Sequence, residues 1–537
     1  MSSTELWVFA KPVLNLAGVI LLCTLILVIV TLSPYALLSS RPKDFPPGPP
    51  TVPILGNLHL IPPTRSFLTF KELSKKYGPI VGLKFASANV VVLNNYKDVE
   101  ELLERRGNIY SSRPPSYIAQ ELIYPGDLHI LMNPYGPTWR AQRRATNLLL
   151  APRAFDELLP RLEAPTTQCI IDILRDPANY YELLRHLAAN IMFVSVYGLH
   201  GVQFDDPRIA ALFDTQHRMK SLLEPGAAPP VDAIGFLRYL PELLAPWKRQ
   251  ARQLREDIRE LYVGEYTAAK NRLQDGSGAG CFVDKLIQEQ EKLGLDEEQL
   301  AYVAGSMLEA GSDTSASQLQ SFILGCLQNP AALRKAQEEV DACCGLNRPP
   351  CLADLDQLPY IEACMNEVLR WRPVGPAGAP HMLTQTDSYK GYVLPAGTIV
   401  FANAWGLQHD ENEYEKPDLF NPDRWQGNRY GTKYDSNGLS TKDRKLTYVF
   451  GAGRRICGGQ KQAEVTLKLA IAKLVWTFQF TKLSEDETKD IDTNPVTAYT
   501  AGFTMAPHKF PVKIEARSEK HAQMIVASME NIMARQG

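Results

Sequence analysis

Residues 450–459, FGAGRRICGG, constrain this chain more than any other stretch. A glycine-dense loop presents Cys457 just ahead of a segment, 460–480, with helical periodicity. Phe450, Gly453, Arg455, Cys457 and Gly459 stand at fixed spacing. A cysteine at a helix N-terminus lies near unpaired N–H groups that stabilise negative charge. Arg455, two residues before it, adds positive charge, so the surroundings are expected to favour a thiolate. Soft sulfur in that state suits iron. The glycines suit a backbone that passes close to a flat ligand, where Cβ atoms would intrude. The plainer alternative is a small buried cysteine beside a turn; five marked positions at one spacing argue against it. A dinucleotide loop is excluded, because the glycine required after Gly451 and Gly453 would fall at Ile456.

Three further stretches carry chemistry. Residues 296–328 hold helical periodicity for about nine turns, with AGSDTS at 310–315 near the middle. Ala310 and Gly311 leave room for a flat group, and Asp313 with Thr314 would place an acid and a hydroxyl at the resulting groove. Such a pair can relay the protons that oxygen activation consumes. Glu367 and Arg370 lie three apart in the helical segment 360–371, on one face. Trp139 and Arg143, four apart, also share a face, and an indole N–H beside a guanidinium can bind a carboxylate.

In this order and spacing, the motifs resemble the cytochrome P-450 superfamily, microsomal type, and in loop wording such as GYVLPAGT its fungal secondary-metabolism branch. The resemblance implies a mainly α fold with small β-sheets and a single N-terminal transmembrane helix. It implies haem b with Cys457 as axial thiolate, and Trp139, Arg143, His381 and Arg455 as cofactor-binding residues. His381 also reads as an ordinary loop histidine. Asp313 and Thr314 take the catalytic places. Glu367 and Arg370 are expected to be buried and held by Arg424 of the segment PDRW, fixing the cysteine loop. Residues 110–137, too long for a routine connection, would cap the substrate cavity, with Ile118, Leu122 and Ile123 as contacts. The implied reaction inserts one oxygen atom of O2 into an apolar small molecule, with electrons from NADPH–cytochrome P-450 reductase. Arg140 and Arg144 could form part of a basic face toward such a partner. Xenobiotic or lipid oxidation, a non-oxygenating isomerase and a haem sensor are the alternatives; Asp313 and Thr314 count against the last two.

The chain has 537 residues, 45% apolar and 22% charged, with net charge −2. No basic, aromatic-interleaved patch points to nucleic acid. Nine cysteines without a Cys-x-x-Cys spacing disfavour disulfides and zinc and favour a reducing compartment. No charge occurs between Lys11 and Arg41, and residues 13–32 are almost wholly apolar. At about 1.5 Å per residue these span roughly 30 Å, the thickness of a hydrocarbon core. A cleaved signal peptide would have a shorter apolar run and a small-residue cleavage site. Arg41 and Lys43 after the run, against Lys11 before it, place the rest on the cytoplasmic side. The expected organisation is an anchor at 1–40, a proline-rich hinge at 41–50 and a haem-binding catalytic domain at 51–537. The expected location is the endoplasmic reticulum membrane, single-pass. Residues 225–247, rich in proline and apolar side chains, read as a core-packed connection, whereas the resemblance implies a lid that dips into the membrane.

Overall fold

The computed structural model describes residues 39–224, 228–232, 234–433, 445–483 and 491–536. The expected anchor at 13–32 lies outside them, as do residues 225–227 and 233 of the expected lid. Among the described residues no helix is long and apolar enough to cross a membrane.

Helices of twelve residues or more dominate: α1 (Ser66–Tyr77), α2 (Pro137–Leu150), α3 (Glu163–Arg175), α4 (Tyr180–Met192), α5 (Pro207–Leu223), α6 (Pro246–Gln274), α7 (Glu297–Gln328), α8 (Pro330–Cys344), α9 (Pro359–Trp371), α10 (Gln460–Thr477) and α11 (Glu519–Gln536). The centre is α7. Asp296 accepts the Gln299 amide at 2.8 Å, and Gln299 Oε1 accepts the Asp296 amide at 3.1 Å, a reciprocal cap that fixes where the helix starts. The poor helix formers in AGSDTS do not break it. Ser312 donates to Glu309 O, Thr314 to Ala310 O and Ser317 to Asp313 O, each at 3.0–3.1 Å, so the hydroxyls bond within the helix. Residues 300–306 and 316–327 are buried on every face, as in a helix that runs through a core. Helices α4, α6, α9 and α10 pack around it.

A four-stranded sheet stands to one side in the order β1 (Ile80–Phe85), β2 (Ala88–Leu93), β6 (Ile399–Ala402), β3 (His381–Met382). Pairing is antiparallel for β1–β2 and β6–β3 and parallel for β2–β6, with Val91 opposite Val400 and Val400 opposite His381. β4 (Asp387–Tyr389) and β5 (Tyr392–Leu394) form a hairpin. The helical reading of 460–480 runs slightly long: α10 ends at Thr477, and Phe478, Gln479 and Phe480 open β7 (Phe478–Lys482), which pairs with β8 (Val512–Ala516). Alternating burial of Phe478 and Phe480 is a strand's period of two. Near the C-terminus, Met505 donates its amide to Val374 O at 2.8 Å.

The proline-rich stretch is not a free linker. Pro47 O accepts the Gly82 amide at 2.8 Å, Asp44 O accepts the Val393 amide at 2.8 Å, and Asn57 Nδ2 reaches Pro49 O and Pro50 O at 3.2 and 2.9 Å. Phe45 is buried among residues of the sheet's core.

Candidate active site

The cysteine loop is held by its own backbone. The Cys457 amide donates to Phe450 O at 2.8 Å. Gly453 has φ +60°, and a Cβ there would overlap the carbonyl oxygen of Leu103. This glycine therefore answers to the neighbouring chain rather than to a ligand. From α2, Arg143 Nη2 donates to Ile456 O at 3.0 Å, and a Cβ on Gly458 would lie 2.9 Å from Arg143 Nη1.

Cys457 is exposed, yet burial among protein atoms pushes its thiol pKa up, partly offset by the Gly459 N–H and the charge of Arg143. Both hold for a side chain that faces an internal hollow. The expectation that the protein alone favours the thiolate is corrected here: burial wins over the helix terminus. The guanidinium of Arg455, expected to help, turns away. A bound metal cation is what would reverse the balance.

Arg455 instead donates to Ser111 O, Ile130 O and Asn133 O at 2.8, 3.2 and 2.6 Å, and lies 4.4 Å from the centroid of the Trp139 ring. Trp139 thus stacks on a cation, while Arg143 serves the loop. The two meet at the cysteine loop and do not pair on a shared acceptor. Beside them Arg113 donates to Leu131 O, Ala379 O and Pro380 O at 3.0, 3.1 and 2.6 Å. His381 Nδ1 sits 2.8 Å from Tyr110 O.

Burial lowers the pKa of Arg113 to about 10. Burial, then Arg113 and Arg143, lower Arg455 to about 8. Burial, then Arg113 and Arg455, hold His381 near 3, so it is neutral. Among the described residues no carboxylate pairs with Arg113, Arg143 or Arg455. Largely buried guanidiniums are ordinarily paired. The cluster is therefore short of negative charge, and it suits a planar ligand carrying carboxylates, which guanidinium forks bind well. Sequence reasoning missed Arg113. It sits in a proline-flanked loop, where no helical spacing marks it; the length of residues 110–137 was the available signal.

Along the middle of α7, burial relaxes over residues 307–315. Ala310 is exposed and Thr314, one turn on, is partly so, while the helix is buried on either side. An opening in the middle of a core helix faces internal space. Gly311 plays another role: a Cβ there would overlap the Met192 side chain, so this glycine lets α4 pack closely. Asp313 does not share the open face. It is ion-paired with Lys220 of α5 and lies 3.9 Å from Arg185 Nε of α4. The structure thus separates the acid from the hydroxyl that the sequence placed at one groove.

Glu367 and Arg370 are fully buried and joined by two bonds of 2.9 Å. Arg424 Nε reaches Glu367 at 3.0–3.1 Å, Trp425 Nε1 donates to it at 3.0 Å and the Asn421 amide at 2.8 Å. Ile118, Leu122 and Ile123 are buried in a short wide-turned helix, Tyr117–Ile123.

A family model described as cytochrome P-450 matches residues 46–514. A cytochrome P-450 monooxygenase of Arthrobotrys oligospora is 36% identical over 499 residues, covering 91% of this chain and 92% of that protein. The monooxygenase fogE of Aspergillus ruber is 34% identical over 93% of this chain and 92% of its own length. The monooxygenase atE of Aspergillus terreus is 32% identical over 98% and 97%.

Proposed function

The chain belongs to the cytochrome P-450 family of monooxygenases, whose cofactor is haem b on a cysteine thiolate, and we propose that Cys457 is that ligand. One observation carries the reading: a cysteine opening on internal space stands beside buried guanidiniums that no carboxylate of the described residues neutralises. Arg113, Arg143 and Arg455 would hold the haem carboxylates, with neutral His381 against them and Trp139 backing Arg455. When bound, haem supplies the activation of O2 from which one oxygen atom enters a C–H bond, and its thiolate ligand favours cleavage of the O–O bond.

The protein's own residues exclude water and supply protons. Thr314 faces the hollow and donates to Ala310 O at rest. Passing a proton onward requires that bond to open. Asp313 can resupply it only after releasing Lys220, so the ion pair gates the route. Exposed Arg140 and Arg144 on α2 support docking of NADPH–cytochrome P-450 reductase. The substrate is an apolar small molecule, and the fungal relatives support a tailoring step in secondary metabolism. The location is the endoplasmic reticulum membrane, with residues 13–32 as anchor. Phe236, Tyr239, Leu243 and Leu244 support a membrane-dipping lid, Leu243 being 93% exposed.

The test is Cys457→Ala. The parent, reduced under carbon monoxide, is expected to show the long-wavelength band of a thiolate-ligated haem, and the variant to lack it. A variant that keeps the band would remove Cys457 from the iron.

A further inference from the structure

Helix α7 carries an acid next to the AGSDTS motif but outside it. Glu309 immediately precedes exposed Ala310, and its side chain lies against Tyr124 and His129 of the 110–137 stretch. Its Oε2 accepts the Tyr262 hydroxyl at 2.6 Å and the Tyr124 hydroxyl at 3.4 Å. His129 Nε2 stands 3.6 Å from the same oxygen. His129 Nδ1 accepts the Leu131 amide at 3.3 Å, which leaves the ring hydrogen on Nε2, toward the acid. His129 is 4% exposed, and its Nε2 has no hydrogen-bond partner among the described residues.

Both tyrosine hydroxyls therefore converge on one oxygen of Glu309, with His129 Nε2 facing the same atom beyond hydrogen-bond distance. The other, Oε1, accepts nothing from the described residues and is not sealed in. The carboxylate stays ionised: burial pushes its pKa up, but His129, the Tyr262 hydroxyl and Lys220 outweigh that. A group needed only to tie Tyr262 and Tyr124 together would not have to be an acid with an unused acceptor. Such an oxygen is a site for a hydrogen-bond donor, and a bond to a charged acceptor is about twice as strong as one between neutral groups. Lys220 already supplies positive charge nearby, which disfavours an ammonium and leaves a neutral hydroxyl.

We propose that Glu309 is a specificity-determining residue, whose Oε1 accepts a hydrogen bond from a hydroxyl on an otherwise apolar substrate and fixes which end of it meets the Ala310–Thr314 face. This rests on the reading of the hollow as the substrate site.

The test is equilibrium dialysis of the haem-loaded protein with 2-naphthol and with 2-methoxynaphthalene, which has the same ring but no donor. The parent is expected to hold 2-naphthol at least tenfold more tightly. In Glu309→Gln, Tyr262 and His129 both require an acceptor, so the amide oxygen turns to them and its NH2 takes the place of Oε1. The variant then presents a donor, and the preference is expected to fall to near onefold. Absence of the preference in the parent, including failure to bind 2-naphthol, overturns the proposal without any variant. So does a preference that survives in Glu309→Gln. Haem loading, read from the carbon monoxide spectrum, checks the haem-site reading separately.

Discussion

Lys473 shows how a single buried charge is felt. It is 1% exposed on α10, and its hydrogen bond goes to the Thr167 hydroxyl oxygen at 2.6 Å. Burial lowers its pKa to about 8, with Glu163 and Cys351 offsetting only part. The folded value lies below the unfolded one, so between about pH 8 and 10.5 the unfolded chain binds more protons, and stability rises with pH across that window. Below about pH 8 the cost is fully present. Lys473→Met is therefore expected to stabilise the protein at pH 7 by up to about 3 kcal/mol, at about 1.4 kcal/mol per pH unit. The gain should shrink to nothing by about pH 10.5. Thr167 keeps a partner, since its hydroxyl donates to Glu163 O at 2.8 Å. Thermal midpoints of parent and variant at both pH values check this; a gain independent of pH would assign it to packing. Thr314→Ala tests a different side chain. Its one hydroxyl bond is to Ala310 O within the same helix, so the fold should hold. Haem content is expected to be unchanged, while NADPH yields more peroxide and less product. Unaltered product per NADPH would take Thr314 out of proton delivery.

At the scale of the element, α7 is a compromise between helix propensity and packing. Glycine in a helix costs about 1 kcal/mol relative to alanine, so Gly311→Ala in isolation should stabilise. Here the added methyl would overlap Met192 Sδ and stand 2.7 Å from its Cγ, so more than the flexible tip must move. Overpacking of that kind costs about 1–3 kcal/mol. Gly311→Ala is expected to destabilise by up to about 2 kcal/mol once the propensity gain is offset, and in a Met192→Ala background to become neutral or stabilising. Chemical denaturation of the four proteins gives the coupling; equal effects in both backgrounds would show that α4 does not dictate this glycine. The example shows why a motif is only half legible. That residues 310–314 are special could be read from their composition. Which of them faces the hollow could not, because a helix shows its full circumference to sequence and only its neighbours decide the faces.

Across the whole molecule, legibility follows the range of the interaction. Periodicity located α7, α9 and most of α10, because local spacing determines them. The partnership of Glu367, Arg370 and Arg424 was readable as a motif, and the structure buries it as such. Arg113 and Glu309 were not readable, since their roles come from chain segments far apart in sequence. The N-terminal boundary is another case. The family resemblance implies a hinge at 41–50, yet Phe45 is buried in the sheet's core, Pro47 bonds β1, and a Cβ at Gly48 would overlap the Gly82 carbonyl. The structured body thus begins before the prolines. Removing residues 1–38 spares all of these contacts. Removing residues 1–50 strips the burial of Phe45, worth about 1.5–3 kcal/mol for a large apolar side chain, and leaves backbone donors of Gly82 and Val393 without acceptors. Deletion of residues 1–38 is therefore expected to retain haem, the carbon monoxide spectrum and the parent's thermal midpoint. Deletion of residues 1–50 should lower the midpoint by several degrees or abolish soluble haem protein. Equal midpoints for the two truncations would return the proline-rich stretch to the role of a linker.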